Sequence, residues 1–494
     1  MKELKDMDIN GTIGGAFGIV TTSPIENVSH LTFEHPSKPR IQIGGDRTIT
    51  PNEDGTFKLE SGKFLKAAVV KGMALLSTEL DKKLAKDFLA EFVKNGTKYG
   101  MDLPAANTIH HEILSASGRF ADYEDAFKNL KKRSITFVLM VGSLDDPNAH
   151  NFLKLCESKF KVLTQLVTSG VAKRIVTRGQ FVTLSNILYK TNVKNGGLNY
   201  KPLFDKVGER FDINKGNVLI LAYDVSHPGE LDSALPQNQK EAHAVGEFPS
   251  VVGLVGNVIS EPSAFVGNFF YQQSRKEEVI TPVFGEYIKK MLGQLVKSGR
   301  GPPSTITILR DGVSEGQFGM VVHKELPLIK KACADIKRSW KPKFLVAIVT
   351  KRHHKRFVNK DLNNAPVGSF VTDKVVRPDC LEFFMACHKA IKGTTKFVQV
   401  SIIHNELNAT PDELKLFLHS LSYGHQIVTS PVSLPTPVYQ ADDVATRGRD
   451  VLHTLFSVKP DEIPKTHDGK VDFEALSRLL SYFDSPLAAQ RYNA

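Results

Sequence analysis

The stretch ITILRDGVSEGQF, residues 306–318, decides the fold. A run of apolar and β-branched residues passes through Arg310 to Asp311, and Gly312 turns the chain at once. A buried strand therefore ends by delivering a carboxylate to a loop. NVLILAYD (217–224) does the same with Asp224 and is followed by a turn carrying His227 and Pro228. In open α/β sheets, ligands collect at the carboxyl ends of the strands. Two acids brought together by neighbouring strands repel each other, and neither is comfortable half-buried without a cation. Two divalent ions about 3.5–4 Å apart would remove the repulsion and hold both oxygens of a phosphodiester. Asp before Gly is also ordinary turn chemistry, so spacing alone leaves a turn cap and a metal ligand both open.

Working outward, SVVGLVGNV (250–258), FVGNFFYQQ (265–273) and KFLVAIVTK (343–351) read as further strands. The first strands follow one another closely, as hairpins do. The later ones are separated by helical segments such as FGMVVHKELPLIKKACADIK. A mixed sheet flanked by helices is expected over residues 216–494. Upstream, ITFVLMVG (135–142) lies among helical patterns, including TELDKKLAKDFLAEFVKNG, which is predicted to stop at Asn95-Gly96. Strands alternating with helices predict a parallel α/β layer over 65–215. Residues 1–64, rich in Gly, Pro, Thr and Asn, read as a linker segment with short β pieces, FGIVTT and RIQIGG.

A chain of 494 residues is long enough for about three domains. Lys and Arg number 64 against 53 Asp and Glu, a formal net charge of +11 that favours a polyanionic partner. The four cysteines form no C-x-x-C pair, which argues against a zinc site or a disulfide framework. No signal-like core and no run of about 18 apolar residues is present. A cytoplasmic and/or nuclear protein without a membrane span is expected.

The motifs DVSHP, LRDGVSEGQF, VTKRHHKRF and PVSLPTPVYQADDVATRGR occur in that order. Together they resemble the Piwi domain of the Argonaute family. TLSNILYKTNVKNGGLN (183–199) resembles the family's Mid domain, and the Gly-rich opening resembles the linker before it. The resemblance implies a Rossmann-like Mid domain followed by a ribonuclease-H-like Piwi domain. No segment resembles the N-terminal or PAZ domains, which suggests either a short member or the C-terminal half of a longer one. Active members use four metal-competent residues and two divalent ions, Mg2+ or Mn2+. On this chain those positions match Asp224, Glu277, Asp311 and Asp442, with Asp224, Asp311 and Asp442 as metal ligands. Glu278 adjoins Glu277, and Asp443 is expected to face away from the site on a helix starting near Asp442. His227 reads as part of the turn, not as a ligand.

Lys190 and Lys194, at i and i+4, share one helix face. Alone, the pair fits either an anion site or the ordinary preference for Lys near a helix C-terminus. The resemblance implies that Lys154, Gln165, Lys190, Lys194 and Arg447 grip a guide 5′-phosphate. His150 stands where a stacking Tyr is usual, and it can stack on a base or carry charge when protonated. In KRHHKRF (351–357), the resemblance implies backbone contacts from Lys351, Arg352 and Arg356, with His388 near the same path. His425 and Ile427 replace a usual Tyr and Arg. The implied function is small-RNA-guided silencing, with cleavage of complementary RNA to leave a 3′-hydroxyl and a 5′-phosphate. The alternative is a guide-loaded factor that recruits partners without cutting. Implied partners are a guide RNA, a target RNA and silencing-complex proteins, around one copy of this chain.

Overall fold

The computed structural model describes residues 33–34, 38–59, 62–115, 118–142, 148–229, 248–279, 282–359 and 361–494. The FGIVTT piece lies outside them. The RIQIGG piece supplies β1 (Ile41–Ile43), which pairs antiparallel with β2 (Arg47–Ile49) and β7 (Lys201–Pro202). A second sheet contains β3 (Met73–Thr78), β4 (His110–Leu114), β5 (Phe137–Gly142) and β6 (Leu163–Thr168). Its order is β4-β3-β5-β6 and every pair is parallel, as helix–strand alternation predicts. Helices Lys82–Lys98, Phe120–Lys132, Ala149–Phe160 and Phe181–Lys194 accompany this sheet.

The helix expected to end at Asn95-Gly96 continues to Lys98. Gly96 acts here as a packing residue and not as a stop. It is buried, and a Cβ on it would come within 2.6 Å of Leu103. Asn195-Gly196 does end its helix: Lys194 is the last helical residue and Gly196 takes φ +81°, a conformation that favours glycine.

The third sheet has eight strands: β8 (Val218–Ser226), β9 (Ser250–Gly256), β10 (Val266–Gln272), β11 (Thr305–Asp311), β12 (Lys343–Thr350), β13 (Phe370–Val371), β14 (Leu381–Met385) and β15 (Val398–Asn405). Their order is β10-β9-β8-β11-β12-β15-β14-β13. The first three are antiparallel neighbours, while β8, β11 and β12 run parallel. The sheet is mixed and flanked by helices, as the sequence implies. Val218 to Tyr223 are all buried, because a strand covered on both faces reads as a continuous apolar run.

Side chains alternate between the two faces. Ile220, Ala222 and Leu309 join the core that also contains Ala441, Val444 and Val451 of helix Thr436–Val458. Leu221, Tyr223 and Ile308 join the opposite core, with Phe284, Ile288, Leu326 and Ile329. Alternation thus puts Asp224 and Asp311 on the face of helix Thr436–Val458, and Tyr223 and Arg310 on the other.

That helix can approach the sheet because two glycines leave room, Gly253 for the helix backbone and Gly448 for side chains of the strands. A Cβ on Gly253 would lie 2.1 Å from the Ala441 carbonyl oxygen, and one on Gly448 would lie 2.6 Å from Val251 Cγ1. Backbone cannot yield as a side chain tip does. Gly253→Ala is therefore expected to cost about 1–3 kcal/mol by overpacking and to displace the turn that carries Asp442. Chemical denaturation would detect it as a lower midpoint at unchanged slope.

Candidate active site and nucleic-acid interface

Register brings the two strand-end acids together. β8 and β11 pair in parallel with Tyr223 opposite Arg310, so Asp224 and Asp311 come next in line. Gly312, at φ +75°, turns the chain there, and a Cβ on it would be 3.8 Å from Asp224 Oδ1. Helix Thr436–Val458 begins six residues before Asp442, earlier than the sequence suggests, because Pro435 and Pro437 set its first turn. Asp442 faces solvent over the strand ends. Asp443 faces elsewhere, as expected, into a separate cleft described below.

The electrostatics agree with the register. Burial, then Asp224 and Asp442, push the Asp311 carboxyl up to about 7. Burial also raises Asp224, and Asp442 and Glu277 add to the rise while Arg310 opposes it. These acids share one field with too little positive charge to satisfy it. Lys351, just after β12, lies within electrostatic reach of Asp442 and Asp311, while burial lowers its own pKa. It also donates to Ser433 Oγ at 2.5 Å.

Glu277 is held by two named partners. Its Oε1 lies 2.6 Å from Arg310 Nη2, and its Oε2 lies 2.9 Å from His227 Nε2. Burial would raise the Glu277 pKa, but the His227 hydrogen bond and Arg310 hold it below the usual carboxylate value. His227 is fixed in turn by Ser250 Oγ at 2.8 Å. The neighbouring Glu278 pairs instead with Lys324, at 2.7 Å. Among the described residues, no three His, Cys, Asp or Glu side chains stand close enough to close around one ion. The donor chemistry still suits a hard divalent cation. Magnesium retains several waters and takes one or two carboxylates plus substrate phosphate oxygens, so it does not require a complete protein cage.

A second site lies along the same helix. A cleft of about 620 Å³ is lined by all six residues assigned to the guide phosphate: His150, Lys154, Gln165, Lys190, Lys194 and Arg447. Its organiser is a residue that the sequence reading missed. Glu157 is fully buried, accepting from Thr164 N–H at 2.8 Å and Thr164 Oγ1 at 2.7 Å. It pairs with Lys154 at 3.0 Å and with Arg447 at 3.0 Å. Burial would raise its pKa, but Lys154, Arg447 and Lys194 bring it down to about 2. Lys154 and Lys194 both donate to the Thr164 carbonyl, at 3.0 and 2.9 Å. The only sequence signal for Glu157 was its i,i+3 spacing from Lys154.

Burial lowers the Lys154 pKa to about 8 and depresses Lys194 strongly. Three crowded cations facing one buried carboxylate leave a positive excess at the cleft. His150 stands exposed at its rim, where the packed side of the ring and then the neighbouring Lys154 and Arg447 hold its pKa below the usual imidazole value. The ring is therefore neutral at pH 7 in the free protein, which favours stacking over added charge. His425 is buried beside Tyr439 and bonded to Arg491, whose Nη2 lies 3.0 Å from Nδ1.

In KRHHKRF, Arg352 and Arg356 are exposed, whereas His353 turns inward and bonds the Phe397 carbonyl at 2.8 Å. Arg356 also holds the His353 and Lys355 carbonyls, at 2.7 and 2.8 Å. His388 is half-buried, and burial together with Lys351 lowers its pKa.

A family profile described as the Piwi domain matches residues 136–453. A curated relative, the putative protein tag-76 of Caenorhabditis elegans, is 24% identical over 445 residues, covering 88% of this chain and 41% of its own length. The crystal structure of Kluyveromyces polysporus Argonaute with a guide RNA matches with a TM-score of 0.77 at 19% identity, over 100% of this chain and 57% of that one. The C-terminal lobe of a budding yeast Argonaute matches with a TM-score of 0.72 at 20% identity, over 91% of this chain and 94% of that one. The chain thus spans about two fifths of the worm relative and just over half of the Kluyveromyces chain.

Proposed function

Since the chain belongs to the Argonaute/Piwi family, we propose that it binds the 5′-phosphate of a small guide RNA and cleaves RNA paired to that guide. The observation that carries this reading is the pairing of two unlike sites on one rigid helix. Asp442 overlooks a carboxylate cluster at the ends of β8 and β11, and Arg447 lines a cationic cleft.

Asp224, Asp311 and Asp442, with Glu277 within electrostatic reach, would hold two magnesium or manganese ions. When bound, these supply Lewis-acid charge stabilisation and a water of lowered pKa. The protein's own residues do the rest. Arg310 and His227 keep Glu277 turned into the site. Lys154, Lys190, Lys194 and Arg447 fix the guide end by charge-assisted hydrogen bonds. Gln165, which bonds Thr191 Oγ1 at 3.0 Å and the Ile187 carbonyl at 3.1 Å, adds a neutral wall to that grip. His150 stacks on the first base. Lys351, Arg352, Arg356 and His388 follow the sugar-phosphate backbone and carry no sequence information. Base pairing to the guide supplies the sequence, as in other guided effectors.

The test is to load the protein with a 5′-phosphorylated guide RNA, add magnesium and a labelled complementary target, and look for one cut. A single product is the expected result. Firm guide binding with no product would favour the reading in which the loaded protein recruits silencing partners without cutting.

The phosphate grip should also depend on pH. Lys154 titrates at about 8 in the free protein, below its ordinary 10.5. The phosphate binds the ammonium form, so above pH 8 binding must take up a proton. Affinity is therefore expected to fall by up to about tenfold per pH unit above 8 for a 5′-phosphate guide. A 5′-hydroxyl guide should show no such fall when binding is followed by fluorescence polarisation.

A further inference from the structure

One fully buried carboxylate has no part in either site. Glu325 lies on the opposite side of the sheet from Asp442, in the core beneath Tyr223 and Arg310. Its Oε2 accepts the Tyr223 hydroxyl at 2.7 Å, and its Oε1 accepts the Val279 N–H at 3.0 Å. Arg310 Nε stands 3.7 Å from Oε2 and has no hydrogen-bond partner of its own. The Arg310 guanidinium rests over the Tyr223 ring, 5.1 Å from its centre.

Those contacts converge on the segment bearing Glu277. Arg310 Nη2 reaches the Glu277 carbonyl at 3.0 Å as well as its carboxylate, and Nη1 donates to the Asp311 carbonyl at 2.7 Å. Val279 is two residues beyond Glu277. Glu325 therefore touches the loop directly at Val279 and indirectly through the arginine that grips Glu277. Lys324, next to Glu325, clasps Glu278.

The backbone around Glu325 is itself unusual. Residues Val321–Glu325 form a π turn between helical segments, and Pro327 follows after Leu326. A proline donates no N–H and its ring crowds the carbonyl four residues before it, here His323. The widened turn accommodates that conflict, and such turns often sit at functional sites.

We infer that Glu325 is a positioning residue that holds Arg310 and the 277–279 segment so that Glu277 stays turned into the acidic site. The inference rests on the proposed cleavage reading for its consequence, but its structural part can be read without any activity. If Glu325 releases the segment, the exposed bonds after Arg275 and Lys276 should become better trypsin substrates.

The test compares the full chain with Glu325→Gln and with Tyr223→Phe, which removes one hydroxyl from the network and little else. Trypsin cleavage after Arg275 and Lys276, read by mass spectrometry, is expected to speed up by about tenfold in either variant, since proteolysis follows the population of the open form. Single-turnover target cleavage should slow by about 100-fold, the usual consequence of a small misplacement. Guide affinity and target KM should not change. Should Glu325→Gln fail to fold, Tyr223→Phe gives both readouts alone. Unchanged proteolysis at these two bonds would overturn the inference, and so would faster proteolysis with undiminished cleavage. Faster proteolysis in a protein whose unmutated form never cuts would support the positioning role and overturn the cleavage reading.

Discussion

Asp311→Ala is expected to cut guided cleavage by about three orders of magnitude while guide affinity stays the same. A carboxylate that helps hold the divalent ions supports several kcal/mol of charge stabilisation, and about 1.4 kcal/mol corresponds to tenfold in rate. The same change should not destabilise the metal-free protein. Burial and the neighbouring acids raise Asp311 from 3.8 to about 7. Its unfolded form therefore loses a proton that the folded form retains, and stability falls as pH rises from 3.8 to 7. In chelator, Asp311→Ala should melt at or above the unmutated protein, with the gain larger at pH 7 than at pH 5. Loss of activity with no loss of stability separates a site residue from a packing residue.

Glu157→Gln is expected to have the largest effect on stability. The carboxylate is buried between Lys154 and Arg447, and removing one partner of such a pair leaves uncompensated charge worth about 3–5 kcal/mol. Glu157 titrates at about 2, against an ordinary 4.5. Its contribution is complete above pH 4.5 and is lost as pH falls from there towards 2. At pH 7 the variant should therefore show a clearly lower denaturation midpoint. A 5′-phosphorylated guide should restore more stability to the variant than to the unmutated protein, because the phosphate replaces the missing negative charge. Equal midpoints without guide would mean that Glu157 does not organise the cleft.

Much of this arrangement could be read in the sequence, because strands advertise themselves. NVLILAYD and ITILRDG end in acids at turns, and parallel pairing makes those ends neighbours. Lys190 and Lys194 were legible as one helix face. The residues that escaped notice act through other side chains. Glu157 and Glu325 are fully buried carboxylates, and decisive partners of each, Arg447 and Tyr223, come from distant segments. Arg310 stood in plain view beside Asp311, but nothing in one sequence says that it reaches Glu277. Gly96 misled the helix boundary because packing and termination use the same residue. The start of the helix that carries Asp442 was placed late, since Val438 to Ala441 pack against the sheet before the charged face begins.

In the proposed function, a guide is held at one end by the cleft and its target is cut opposite a fixed acidic site. One measurement tests this most directly. Two guides are used, identical except that the second is displaced by a single nucleotide along the same target. The cut is mapped at nucleotide resolution in magnesium. The account predicts that the cut moves by one nucleotide with the guide 5′-end and disappears in Asp311→Ala. A cut that stays in place, or that survives in Asp311→Ala, would contradict it.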